Sequence, residues 1–134
     1  MADNKIKLLI VDDQESVLKG LKMRLALEED MQIIGEAKDG YKALQIASEL
    51  HPDIIIMDVD MPRMDGITAT KALAQSDPAI MVIMLSIHDD AGLRAQAQAA
   101  GAYAYVEKRD GALVLIDEIR NAFVQRMKIS HGRN

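Results

Sequence analysis

The run Ile54-Ile55-Ile56-Met57-Asp58-Val59-Asp60-Met61-Pro62-Arg63-Met64-Asp65-Gly66 decides how the rest of the chain is read. A short apolar segment ends in a carboxylate, a proline-containing loop follows, and Asp65-Gly66 opens a new segment. This is the pattern of a buried strand that delivers Asp58 to its carboxyl end. In open α/β sheets, ligands sit in the crevice beyond those ends. An isolated aspartate after a strand commonly does no more than begin a turn. What sets Asp58 apart is the set of residues at the other strand ends.

Outward from this run, Lys7-Leu8-Leu9-Ile10-Val11 is nearly all apolar and stops at Asp12-Asp13, as expected of a strand buried on both faces. Val17, Leu18, Leu21 and Leu25 recur at helical spacing and predict an amphipathic helix over 14–28. Asp13 stands either as its N-cap or as a second acid at the strand end. Met31 to Ala37 reads as the second strand, and Asp39-Gly40 turns into a helix carrying Ala43, Leu44, Ala47 and Leu50. His51-Pro52 closes that helix, with His51 a solvated cap residue. After Gly66 a third helix is expected to present Ile67, Thr70, Leu73 and Ala74, and Asp77-Pro78 breaks it.

Ile80 to Leu85 is the fourth strand, ending at Ser86. Asp89 or Asp90 caps a fourth helix whose apolar face is mostly alanine, with Leu93 its one large member, and Gly101 ends it. So little apolar area predicts a helix that shifts easily. Tyr103 to Val106 is the fifth strand, running directly into Glu107-Lys108-Arg109. Leu115, Ile116, Ile119, Phe123 and Met127 mark the final helix. A single domain is expected over 1–128, with 129–134 a short, polar, frayed tail.

Five strands alternating with five helices predict an α/β fold, a doubly wound parallel sheet covered on both faces by right-handed crossovers. All strand ends then share one edge. That edge collects Asp12 and Asp13, Asp58, Ser86 and Lys108. Three converging carboxylates repel one another unless a counter-charge joins them. A divalent cation resolves this, and Mg²⁺ suits hard oxygen ligands shared between carboxylates and a phosphate oxygen. With Lys108 as a second positive charge and the Ser86 hydroxyl as a donor, the set fits phosphoryl transfer to an aspartate nucleophile.

Composition excludes several other trades. The 134 residues carry a net charge of −5, no cysteine, three histidines, no tryptophan, one phenylalanine and three tyrosines. Thiolate metal sites, disulfides and a cysteine nucleophile are absent, and scattered histidines do not make a zinc site. An acidic chain poor in aromatic residues is not expected to bind nucleic acid directly. The longest apolar run, Ala79 to Leu85, is far below the roughly 20 residues that span a bilayer, and the run after Met1-Ala2-Asp3-Asn4-Lys5 is too short for a signal peptide. A cytoplasmic chain with no membrane partner is expected.

With these residues in view, the sequence resembles the receiver domains of two-component response regulators, over roughly residues 5 to 127 and at all five motif positions. Gly35-Glu36-Ala37-Lys38-Asp39-Gly40 and Met64-Asp65-Gly66-Ile67-Thr68-Ala69-Thr70 look most like the NarL/LuxR-type branch, whose full-length members carry a helix-turn-helix DNA-binding domain. The resemblance implies strand order 2-1-3-4-5. It implies Asp58 as the phosphoacceptor for a sensor histidine kinase or phosphotransfer protein. It implies Asp12 and Asp13 as Mg²⁺ ligands, Asp13 the more direct, with Asp58 and the Asp60 backbone carbonyl completing the site. Lys108 would pair with the phosphoryl group, Ser86 would swing onto it, and Tyr105 would be the aromatic rotamer switch. The output would go to an attached domain or effector through the fourth helix, fifth strand and fifth helix, with a phosphorylation-dependent homodimer as one form. Such a chain is a signalling switch that catalyses only its own phosphorylation and dephosphorylation. Asp60 and His88, two residues beyond Asp58 and Ser86, stand where they can order or obstruct the hydrolytic water; His88 is otherwise a plain loop histidine. One departure is Arg109, where family members commonly have proline after the lysine, often with a cis bond. A non-proline cis bond costs about 2.5–4 kcal/mol, so a trans bond and a reshaped loop are expected.

The alternative is an aspartate-nucleophile phosphatase of the haloacid dehalogenase kind, which also uses an apolar strand followed by Asp-x-Asp, here Asp58-Val59-Asp60. That motif normally ends the first strand of a much larger chain. A calcium loop fails because Arg63 stands where glycine is required. A receiver working only as a scaffold is the third alternative, although every chemical position is present.

Overall fold

The computed structural model of the chain describes residues 5–132, with side chains as far as residue 129. Strands β1 (Ile6–Val11), β2 (Met31–Ala37), β3 (Ile54–Asp58), β4 (Met81–Ser86) and β5 (Ala104–Glu107) alternate with helices α1 (Glu15–Leu25), α2 (Gly40–Leu50), α3 (Gly66–Ser76), α4 (Ala91–Ala100) and α5 (Ala112–Gly132). A 3₁₀ turn, Lys108–Asp110, joins β5 to α5. The strands form one parallel sheet in the order β2-β1-β3-β4-β5.

The apolar strand runs are continuous because both faces of the sheet are covered. Leu8, Ile10, Ile54, Ile56 and Ile83 point to one face, against Leu18 and Leu25 of α1 and Leu115, Ile116 and Ile119 of α5. Their neighbours Leu9, Val11, Ile55, Met57 and Met84 point to the other, against Ala43 and Ala47 of α2, Ala69 and Leu73 of α3 and Ala97 of α4. Burying a leucine or isoleucine is worth about 1.5–3 kcal/mol, so the α1 and α5 face is the more firmly held.

The helix starts follow local chemistry. Asp39, Asp65 and Asp90 each accept backbone N–H bonds from the first turns of α2, α3 and α4. Of the two candidate caps for α4, Asp90 is therefore the one used. Gly101, at φ 109°, ends α4 in the left-handed region.

Several boundaries differ from the sequence expectation. α1 ends at Leu25 and not at residue 28, because the chain tightens into turns, with Leu27 N–H donating to Arg24 O and Glu28 N–H to Leu25 O. Glu28 and Asp30 are instead gathered by Arg120 of α5 at 2.7 and 2.9 Å. In α3 the buried face is Ala69, Thr70 and Leu73, while Ala74 is exposed; in α5, Ala122 is buried and Met127 exposed. Alanine reads equally well on either face of a helix, which is why its position was not decided by spacing. α5 also continues to Gly132 through most of the expected polar tail, since no glycine or proline intervenes before that residue. Residues 133–134 of that tail lie outside the described residues, as do 1–4 of the expected signal-free start. Among the described residues, no helix is long and apolar enough to cross a membrane.

Candidate functional site

Parallel pairing brings the strand ends together. Val11 registers with Met57, Asp58 with Leu85, and Ser86 with Glu107, so Asp12, Asp58, Ser86 and Lys108 emerge on one edge. Asp12 is 1% exposed and fully engaged. Its Oδ1 accepts from Gln14 N–H at 2.9 Å, and its Oδ2 accepts from Lys108 Nζ at 3.1 Å. Lys108 Nζ also lies 3.7 Å from Asp58 Oδ1. Asp13 is exposed, and its carboxylate comes within 4.8 Å of those of Asp12 and Asp58. The N-cap of α1 is Gln14, without a side-chain bond, so Asp13 does not cap the helix and remains free for the cluster.

Asp58 is the carboxylate whose environment is most perturbed. It is 7% exposed. Burial, and then repulsion from Asp12, push its carboxyl up to about 6, against the pull of Lys108 and the Asp60 N–H, with Asp13 adding a smaller repulsion. One lysine facing three carboxylates leaves excess negative charge, which is the condition a divalent cation meets. The donor set therefore fits such an ion.

The loop after β3 folds back over this edge because residue 66 has no side chain. A Cβ on Gly66 would overlap the Asp58 carbonyl oxygen, and the Gly66 N–H donates to Val59 O at 2.9 Å. Arg63 sits at φ 67°, and its guanidinium donates to Asp39 Oδ2 at 2.8 Å, tying the loop to the start of α2. An open depression of about 420 Å³ lined by Asp13, Asp60, Met61, Pro62 and Asp65 lies beside the acids.

Ser86 is 1% exposed, and its Oγ accepts from His88 N–H at 3.0 Å. The expected pair of modulators, Asp60 and His88, are bonded to each other, Asp60 Oδ2 to His88 Nε2 at 2.7 Å. Tyr105 is half-buried and donates its hydroxyl to His88 O at 2.9 Å. Among the described residues no peptide bond is cis, so Lys108-Arg109 is trans as expected, and the loop there is the 3₁₀ turn. Sequence reasoning missed Arg94 and Glu107. Arg94 donates to Tyr105 O at 3.2 Å and Glu107 Oε2 at 2.9 Å, a pairing between helix and strand that no spacing along the chain reveals.

Residues 8–120 match the family model described as the response regulator receiver domain. The chain belongs to the response regulator receiver family. This receiver is 42% identical over 119 residues to the transcriptional regulatory protein LiaR of Bacillus subtilis, covering 87% of this chain and 56% of that one. It is 35% identical over 118 residues to the transcriptional regulatory protein DegU of Brevibacillus brevis, covering 88% and 50%. Among solved structures, the response regulator domain of Thermotoga maritima CheB superposes with a TM-score of 0.84 at 35% identity, covering 89% of this chain and 96% of that one. A LuxR-family response regulator from Aurantimonas superposes at 0.87 and 28% identity, covering 91% and 87%. This receiver spans about half the length of the curated relatives it matches. The haloacid dehalogenase alternative finds no support, since Asp58-Val59-Asp60 ends the third strand of a receiver sheet.

Proposed function

We propose that this receiver is a phosphoacceptor switch in which Asp58 takes a phosphoryl group from a sensor histidine kinase or phosphotransfer protein. The observation that carries this is the buried Asp58 carboxylate at a strand end, within 4.8 Å of Asp12 and Asp13 oxygens and 3.7 Å from Lys108 Nζ. An Asp58 oxygen attacks phosphorus, the bond from phosphorus to the donor imidazole nitrogen breaks, and an acyl phosphate forms on Asp58 while the imidazole leaves with the electron pair and takes up a proton. Lys108 shifts its pairing from Asp12 toward the new phosphoryl oxygens, and the Ser86 hydroxyl turns to donate to one of them. Asp12, Asp13, Asp58 and the Asp60 carbonyl would hold Mg²⁺, which supplies hard positive charge to the same oxygens when bound.

Under this reading the chain acts on itself and not on an external substrate. It works in the cytoplasm, at no membrane, and passes its signal through α4, β5 and α5 to an output domain, an effector or a second copy of the chain. The transcriptional-regulator names of LiaR and DegU support an output on DNA, carried by a segment or partner other than this acidic chain. Intact-mass analysis after incubation with acetyl phosphate tests the chemistry. One phosphoryl adduct is expected on the wild type with Mg²⁺ and none in excess chelator or in Asp58→Ala. An adduct that persists in Asp58→Ala or in chelator overturns the assignment of nucleophile or metal.

A further inference from the structure

We infer that Arg63 is a positioning residue for the acidic edge: by clasping Asp39 it fastens the loop after β3, and with it the Asp60 carbonyl, at a fixed reach from Asp13. The inference rests on the phosphoacceptor reading above and on the Mg²⁺ ligands which that reading assigns. Arg63 sits at φ 67°, a left-handed conformation that a residue with a Cβ rarely keeps unless its surroundings hold it there. Its Nη2 donates to Asp39 Oδ2 at 2.8 Å, while Asp39 Oδ1 accepts from Lys42 N–H at 2.9 Å. One carboxylate thus caps α2 and anchors the loop. The backbone repeats the attachment one residue further on, where Gly40 N–H donates to Met64 O at 3.2 Å. A Cβ on Gly40 would stand 2.7 Å from Met64 Cγ and 2.9 Å from the Met64 carbonyl oxygen, so this approach requires glycine.

The turn that receives the loop is itself fastened to both sides of Asp13. Asp12 N–H donates to Ala37 O at 3.0 Å, and Lys38 Nζ pairs with Glu15 Oε2 at 2.6 Å. Residues 37–40 are therefore a common anchor for the Asp13 backbone and for the loop that carries Asp60. Asp13 and Asp60 both line the open depression beside the acids. Within its own loop Asp60 is held lightly: its carboxylate goes to His88, and its N–H reaches Asp58 Oδ1 only at 3.4 Å. The direction of its carbonyl then depends on how the loop behind it is fastened, and Arg63 is the side chain that fastens it.

The Arg63 side chain is 65% exposed, and so exposed an ion pair ordinarily adds little to folding. Its effect belongs in metal affinity, where the two ways it can act have opposite signs. By charge alone, a cation near three carboxylates repels Mg²⁺, and its removal tightens binding. As a clasp, it raises the fraction of chains whose loop is in place, and its removal weakens binding.

The test is titration of the isotope-labelled chain with Mg²⁺ alone, read from the amide shifts of Asp13 and Asp60. Arg63→Ala, Asp39→Asn, their combination and Arg63→Lys are compared with the wild type. Asparagine at 39 keeps α2 capped but offers Arg63 no carboxylate. Arg63→Ala is expected to bind Mg²⁺ about two- to fivefold more weakly despite the loss of a repelling cation, with Arg63→Lys between it and the wild type. Asp39→Asn should also weaken binding, and the double variant should be no weaker than the weaker single one, because both changes open the same clasp. Tighter or unchanged binding by Arg63→Ala overturns the clasp, as does a double variant that returns to the wild-type affinity or multiplies the two losses. A wild type whose Asp13 and Asp60 amides do not respond to Mg²⁺ overturns the metal assignment and the clasp together, a result distinct from a responding wild type that its variants merely match.

Discussion

At the scale of the residue, Asp58 carries a stability penalty that the proposed phosphoacceptor role would explain. Its folded carboxyl titrates at about 6, above the ordinary value of 3.8, because burial and Asp12 disfavour the charge. Between about pH 4 and 6 the folded chain keeps a proton that the unfolded chain has released. Raising the pH through that window therefore removes stability, and above it the loss is complete. In metal-free protein, urea unfolding should show Asp58→Asn gaining on the wild type as pH rises from 4 to 6, by on the order of 2–3 kcal/mol at pH 7. Parallel pH profiles for the two proteins would show that the site does not destabilise the ionised Asp58. Asp58, Asp12 and Ser86 were legible in the sequence because each terminates a recognisable apolar run, and Lys108 because it lies just past the fifth. Whether Asp13 caps α1 was not, since an acid after a strand reads equally as a cap, and only the Gln14 geometry separates the two.

At the scale of the element, the loops after β3 and β4 are stitched together by the Asp60 to His88 contact, which spans the edge above Asp58. Water attacking a phospho-aspartate would have to approach past this bridge. Replacing both residues with alanine should change the autodephosphorylation rate severalfold and leave the circular dichroism unchanged. Identical decay of the wild type and the double variant would make His88 a plain loop histidine. Helix starts at Asp39, Asp65 and Asp90 and the stop at Gly101 could be read from sequence because capping is local. The end of α1 could not, because it is decided by turn bonds near Leu27 and by Arg120, which lies far along the chain. α4 also needed correction in kind. Its apolar anchoring is as light as its alanines suggested, but Arg94 adds a polar hold that depends on where β5 lies in space.

At the scale of the whole molecule, the two-faced sheet forms a firm platform on the α1 and α5 side and a lighter one around α4. Sheet order and the convergence of the strand ends were available from the alternation of elements together with the family resemblance. The contacts that run from Ser86 through His88, Tyr105, Arg94 and Glu107 were not, since they join residues whose only common property is the edge they reach. A hydroxyl bonded to a charged phosphoryl oxygen is worth about 1.5–3 kcal/mol, enough to move a two-state equilibrium severalfold to a hundredfold. The central claim is that charge on Asp58 reshapes the α4 and β5 face, and hydrogen exchange from Ile87 to Arg109, with and without beryllofluoride in the presence of Mg²⁺, tests it most directly. The account predicts altered protection across that segment in the wild type and none in Asp58→Ala; unchanged protection in a wild type that demonstrably binds the ligand would contradict it.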